Sequence, residues 1–134
     1  MSQENVEVVR RLMRAFVEQD NDEVLRYLDP EAELDWSDSD APDSGVYAGH
    51  AGWLAFAQAR DEALGERGFE LVDLITPAPD TVVVIGRMRE RGRVSGVQVA
   101  AQGAAVFTVR EGKVTHLKLY QTREQALKAV GLAK

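Results

Sequence analysis

Cysteine is absent from this 134-residue chain, which excludes disulfides, thiolate nucleophiles and cysteine-ligated metals and fits a reducing compartment. Histidine occurs only at His50 and His116, so the two cannot by themselves supply the three protein ligands of a catalytic zinc. Basic side chains are in deficit, 16 against 22 acidic, and the net charge of -6 repels phosphate backbones and anionic bilayers. Neither a nucleic-acid partner nor a membrane surface is expected. No apolar run approaches the ~18 residues of a membrane span. Met1-Ser2-Gln3-Glu4 has neither the basic nor the apolar region of a signal peptide. These absences predict a soluble cytoplasmic protein. What is present is globular composition, 45% hydrophobic and 28% charged, in a length that suits one domain over residues 1–134.

Val6, Val9, Leu12, Met13, Phe16 and Val17 recur at helical spacing and predict a first helix over residues 4–19. Asp20 with Glu23 has the spacing of a capping box, which starts a short second helix that stops before Asp29-Pro30. Ala32, Leu34 and Trp36 alternate with Glu33 and Asp35 as a brief strand, and residues 37–45 read as a loop. Gly49 begins a third helix with Trp53, Phe56, Ala57 and Leu64 inward, and Gly65 and Gly68 mark its exit. A meander follows. Phe69, Leu71, Asp73 and Ile75 share one face of its first strand, and residues 77–80 turn into a strand over 81–91. Two further strands cover residues 97–110 and 113–121, joined by a tight Glu111-Gly112 hairpin. Thr122 with Gln125 repeats the capping-box spacing before a last helix that ends at Gly131.

Three passages carry a family resemblance: residues 5–12 with Leu28-Asp29-Pro30, then Gly45-Val46-Tyr47-Ala48-Gly49-His50, then residues 107–114 leading to Tyr120. With the element order they resemble the SnoaL-like group of the nuclear transport factor 2-like superfamily, related to polyketide cyclases and ketosteroid isomerases. The resemblance implies an α+β cone, a curved and mostly antiparallel sheet wrapped around N-terminal helices, with an extra C-terminal helix. It does not choose a chemistry, because this scaffold hosts isomerases, cyclases, dehydratases, hydrolases and non-catalytic binders. The positions where ketosteroid isomerases keep their working residues fall here on Leu12, Trp36 and Ala105, and the acid-base aspartate of SnoaL-type cyclases falls on Thr122. None of these four side chains is a base near neutral pH.

By strand parity and helix face, Met13, Phe16, Trp36, Tyr47, Phe56, Met88, Phe107, Leu117, Leu119 and Gln121 are expected to line the hollow. Such a lining suits a small hydrophobic or cyclic molecule, whereas the same aromatics packed together would simply fill the cone. Asp38 and His50 are the acid-base candidates at the mouth, set against the plainer reading of residues 38–43 as solvated turn chemistry. That acidic loop lacks the glycine and terminal glutamate of an EF-hand, so no metal is expected, and no cofactor either. Arg87, Arg89 and Arg91 belong to the outer face, where acids on the next strand or a second subunit would meet them. A homodimer through the convex sheet is expected. Glu90 points inward as a rim carboxylate or, as the favoured alternative, a surface partner for an arginine. Three uses remain open: a cofactor-independent isomerase, cyclase or lyase; a non-catalytic binder; and a structural dimer with a filled cone.

Overall fold

Helix α1 (Ser2–Val17) turns its apolar face, with Val9, Leu12 and Ala15 buried, onto a sheet that curves around it. The computed structural model describes residues 2–38 and 45–132. After α1 come α2 (Asn21–Tyr27), β1 (Leu28–Asp35), β2 (Val46–Ala48), α3 (Gly49–Ala63), β3 (Leu64–Ala78), β4 (Thr81–Gly92), β5 (Gln98–Arg110), β6 (Lys113–Tyr120) and α4 (Arg123–Ala129). The six strands form one sheet in the order β2-β1-β6-β5-β4-β3. Among the described residues only the β1–β6 pairing is parallel, so the expected α+β architecture with a mostly antiparallel sheet is the one observed.

Both expected helix starts carry side-chain caps. Asp20 accepts the amide hydrogen of Glu23, and Thr122 and Gln125 cap each other reciprocally at α4. Glu111 and Gly112 both take positive φ, 52° and 77°, as a two-residue hairpin between Arg110 and Lys113 requires.

The sheet departs from its simplest reading where it bends. Strand β1 begins at Leu28, not at Ala32, because the pairing with β6 jumps between Leu28 and Glu33 and Pro30 needs no donor inside that irregularity. Strand β2 was assigned to no element, since it lies between the loop over residues 37–45 and the helix from Gly49 and three residues are too few to show a period. Strand β3 begins at Leu64 and absorbs Gly65 and Gly68, with no loop after α3. Its register against β4 shifts between Leu71 and Asp73, and that bulge reverses the face of the residues that follow as far as Ile75, after which the register shifts again. Phe69 and Leu74 consequently pack on the inner core, while Ile75 joins the outer cluster and Asp73 reaches Arg123 of α4 at 3.0 Å. Asp73 and Ile75 therefore do not share the face of Phe69.

Two hydrophobic clusters result. The larger lies in the concavity, between the sheet, α1, α2 and α3. The smaller lies on the convex side, where Ala126 of α4 is buried against Val83, Ile85 and Ala104. That helix covers part of the face on which a second subunit was expected. Arg87 and Arg89 stand on the same face and pair across the strands with Glu70, at 3.6 and 3.3 Å.

Candidate functional site

Helix α3 is fastened to the start of β1 by its first two residues. Gly49 has φ +67, and a Cβ there would lie 2.5 Å from the Pro30 carbonyl oxygen, so only glycine fits. His50 Nε2 lies 2.7 Å from the Leu28 carbonyl oxygen. A carbonyl can only accept, so Nε2 carries the proton and Nδ1 is the nitrogen left to exchange one when the ring is neutral.

Asp38 is drawn elsewhere. Its carboxylate sits 3.0 Å from Lys118 Nζ, which also donates to Asp35 at 2.9 Å and to the Ser37 hydroxyl at 3.3 Å. Asp35 in turn accepts from both the hydroxyl and the amide of Ser37. These bonds, the Ser37 hydroxyl first and Lys118 next, hold the Asp35 carboxyl at about 2, and Asp35 chiefly raises the Lys118 ammonium above its ordinary value. No hydrogen bond or ion pair joins Asp38 to His50: one faces Lys118 and the other the backbone of β1. Asp40 and Asp43 of the same loop lie outside the described residues.

The expected lining divides into three groups. Trp36, Phe56, Phe107 and Leu117 are buried in the inner cluster, and Met13, Phe16, Tyr47, Met88 and Leu119 are half-buried. Gln121 falls past the end of β6 and is exposed, its amide donating to Gln125 Oε1 at 3.0 Å. The inner rings form a chain of tilted and edge-on contacts. Phe16 meets Trp53 at 5.6 Å, Trp53 meets Phe56 at 5.4 Å, and Phe56 meets Trp36 at 4.9 Å and Tyr47 at 5.5 Å. Leu12, Trp36 and Ala105, the positions of the isomerase machinery, belong to this one apolar cluster.

Three buried side-chain atoms lack hydrogen-bond partners among the described residues: Trp36 Nε1, Trp53 Nε1 and Arg67 Nε. All three are donors. Leaving such a group unsatisfied costs about 1–3 kcal/mol. Arg67 is partly compensated, for its Nε is 3.4 Å from Glu90 Oε2 in an ion pair without hydrogen-bond alignment. The two indoles have no such relief.

Beside the rings stands an ionic cluster. Glu90 is 5% exposed and is contacted by Arg60, whose Nε is 3.1 Å from Oε2, and by Arg67, whose side chain is 1% exposed. Arg67 also holds Asp61 at 2.6 Å, donates to the Phe16 carbonyl at 3.1 Å and stacks 4.5 Å from the Phe16 ring centre. Glu90 thus has arginine partners but is not at the surface, because its inward parity and the cross-strand pairing with Arg67 place it inside. The signal was present in part: Arg60 lies one turn beyond Phe56 on the face of α3 that points inward.

An open crevice of about 750 Å³ runs along α1 and meets the concave face of the sheet. Its apolar floor includes Met13, Phe69, Leu74 and Val84, and Arg10, Arg14 and Glu18 stand on its rim. Of the expected lining, it contains only Met13. Among the described residues no three histidine, aspartate or glutamate side chains gather as a metal site. No helix among them is long and apolar enough to cross a membrane.

Solved structures with the same architecture are numerous. A nuclear transport factor 2-like protein of unknown function from Burkholderia pseudomallei is similar at 21% identity and a TM-score of 0.78, over 96% of this chain and 98% of that one. TerC, co-crystallised with polyporic acid, is 21% identical with a TM-score of 0.77 over 95% and 98% of the two chains. A candidate SnoaL-like polyketide cyclase from Jannaschia sp. CCS1 is 20% identical with a TM-score of 0.76 over 99% and 94%. At such identities the likeness establishes the fold, not the reaction. Curated protein sequences yield no match. The SnoaL-like domain family matches residues 9–117, most of the chain, and the protein belongs to that family.

Proposed function

We propose that the chain binds a small hydrophobic or cyclic molecule at the mouth of its cone, where α1 faces the β3–β4 ladder. The observation that carries this reading is the crevice itself, about 750 Å³ with the inner hydrophobic cluster as its floor and charged groups at its rim. That volume lies within the range of sites for drug-sized molecules, and the apolar floor gives such a molecule buried contact, while charged side chains including Glu7, Arg10, Arg11, Arg14 and Glu18 also line the crevice. Binding is better supported than turnover. His50 Nε2 is committed to the Leu28 carbonyl and Asp38 to Lys118, so a catalytic version has to route proton transfer through His50 Nδ1 alone.

The proposal includes a cytoplasmic homodimer joined through the part of the convex face not covered by α4, around Arg87, Arg89 and Gln102. Analytical ultracentrifugation at micromolar concentration tests the dimer, and a monomer at all concentrations removes it. The binding test is a thermal-shift screen against steroids, aromatic polyketides, terpenoids and fatty acids, followed by calorimetry on any hit. Leu71, 41% exposed on the crevice wall, provides the variant. Leu71→Trp is expected to fill the crevice and weaken binding about tenfold or more, with Leu132→Trp as an exposed control. An unchanged affinity in Leu71→Trp would place the ligand elsewhere, and stabilisation by no compound in the panel would end the reading.

A further inference from the structure

Arg10 and Arg14 both line the crevice along α1, and both are exposed. Standing four residues apart, they are neighbours on the helix surface and repel each other. Neither side chain makes a hydrogen bond or an ion pair among the described residues, where every other arginine except Arg91 holds a carboxylate or, for Arg93, a backbone carbonyl. The acids of the crevice do not answer this charge. Glu7 is taken by Arg11 at 2.8 Å, Glu23 lies 3.8 Å from Arg26 Nε, and Asp20 accepts the amide hydrogen of Glu23, so Glu18 is the one carboxylate of the crevice left over. Two uncommitted cations face one uncommitted anion. The rim is therefore positive in a chain whose net charge is -6. Arg14 also suits the last turn of α1, where a cation complements the helix dipole, but Arg10 stands a turn earlier and gains nothing there.

We propose that the molecule taken by the crevice is an apolar acid, its carboxylate held by Arg10 and Arg14 and its ring or chain laid on Met13, Phe69, Leu74 and Val84. This rests on the reading that a small molecule binds in the crevice, and it adds the charge of that molecule. A guanidinium donates parallel N–H bonds to a carboxylate, and a carboxylate has acceptor sites enough for two such groups. An uncharged molecule of the same shape keeps the apolar floor but gains nothing from the rim, and a cation is repelled by it. Because both arginines are solvated, the preference is moderate and weakens with salt.

The test titrates three probes of one shape, 2-naphthoate, 2-naphthamide and 2-naphthylmethylammonium, into the intact chain by calorimetry at low and at high salt. The expected result is that the acid binds about fivefold more tightly than the amide at low salt, with the ammonium weakest, and that the gap narrows as salt rises. Arg10→Gln and Arg14→Gln should each weaken the acid about threefold and leave the amide unchanged. Arg91→Gln, which removes an unpaired arginine away from the crevice, should change neither. If the double variant fails to fold, the single variants and the charge series on the unaltered chain still decide. Equal affinities for all three probes would overturn the acid and leave the binding reading standing. A preference for the acid that persists in Arg10→Gln with Arg14→Gln would overturn the assignment to these arginines, as would tightest binding of the ammonium. Binding by none of the three would overturn both this inference and the binding reading.

Discussion

Replacing Glu90 by glutamine removes one negative charge from a place where two cations depend on it. Glu90 is 5% exposed, and the Arg67 side chain opposite it is 1% exposed, so water cannot take over the lost role. Breaking one side of a buried ion pair costs about 3–5 kcal/mol, because the remaining charge stays buried. Here the lower end applies. Arg67 keeps Asp61 at 2.6 Å and the Phe16 carbonyl, and the Arg60 side chain is 23% exposed and can regain water. A loss of about 3 kcal/mol is a large part of the roughly 5–15 kcal/mol that hold an ordinary domain together. In urea, with a slope of about 1–3 kcal/mol per molar, the midpoint should fall by roughly 1–3 M. Glu70→Gln is the control, since Glu70 also faces two arginines but half-exposed, and should cost less than about 1 kcal/mol. A double-mutant cycle between Glu90→Gln and Arg67→Met isolates the pair and should show coupling of about 1 kcal/mol or more. If Glu90→Gln unfolds within 1 kcal/mol of the parent, or costs no more than Glu70→Gln, burial does not have the energetic weight assigned to it.

Gly49→Ala is expected to cost about 2 kcal/mol or more in urea unfolding, because a Cβ at φ +67 meets the Pro30 carbonyl oxygen at 2.5 Å. Gly131→Ala, at φ +80 with nothing within 4 Å, carries the conformational cost alone; equal losses at the two positions would refute the clash. Asp35 is held at about 2 against an ordinary 3.8, so its clamp stabilises the fold above about pH 4 and loses that contribution as pH falls toward 2. Lys118 is raised above its ordinary 10.5, so its contribution is complete below that value and disappears as pH rises through the folded value. Exposure keeps the whole effect under about 1 kcal/mol. Carboxyl NMR should show Asp35 titrating near 2 and moving upward in Ser37→Ala, and a midpoint unmoved in that variant would show that the Ser37 hydroxyl is not the main cause.

Local features were legible where a short stretch of chain contains its own cause. The capping pairs Asp20 with Glu23 and Thr122 with Gln125 need only residues three apart, and the Glu111-Gly112 turn needs only its own two dihedrals. Strand parity likewise put Arg87 and Arg89 of β4 on the outer face, where they pair with Glu70, because β4 runs against β5 without a register shift. Where a bulge intervenes parity fails, as at Val72 in β3, since the extra residue is set by strand pairing and leaves no mark in the period.

The candidate site was less legible than the fold, and for a related reason. Asp38 lies two residues beyond Trp36, which suggested the same side, yet Trp36 ends inside the cone and Asp38 on Lys118, because β1 ends at Asp35 and strand parity does not extend to either. Glu90, expected as a surface partner for an arginine, is instead buried between Arg60 and Arg67, thirty and twenty-three positions earlier in the chain. Most of the elements, their caps and hairpin and the apolar inner face were legible in the chain because they follow from propensity and periodicity over a few residues, while the likeness to a cone-shaped family was carried by three short passages. Which carboxylates are paired, which indoles lack a hydrogen-bond partner among the described residues and where the crevice opens depend on distances between groups far apart along the chain, which no local period encodes.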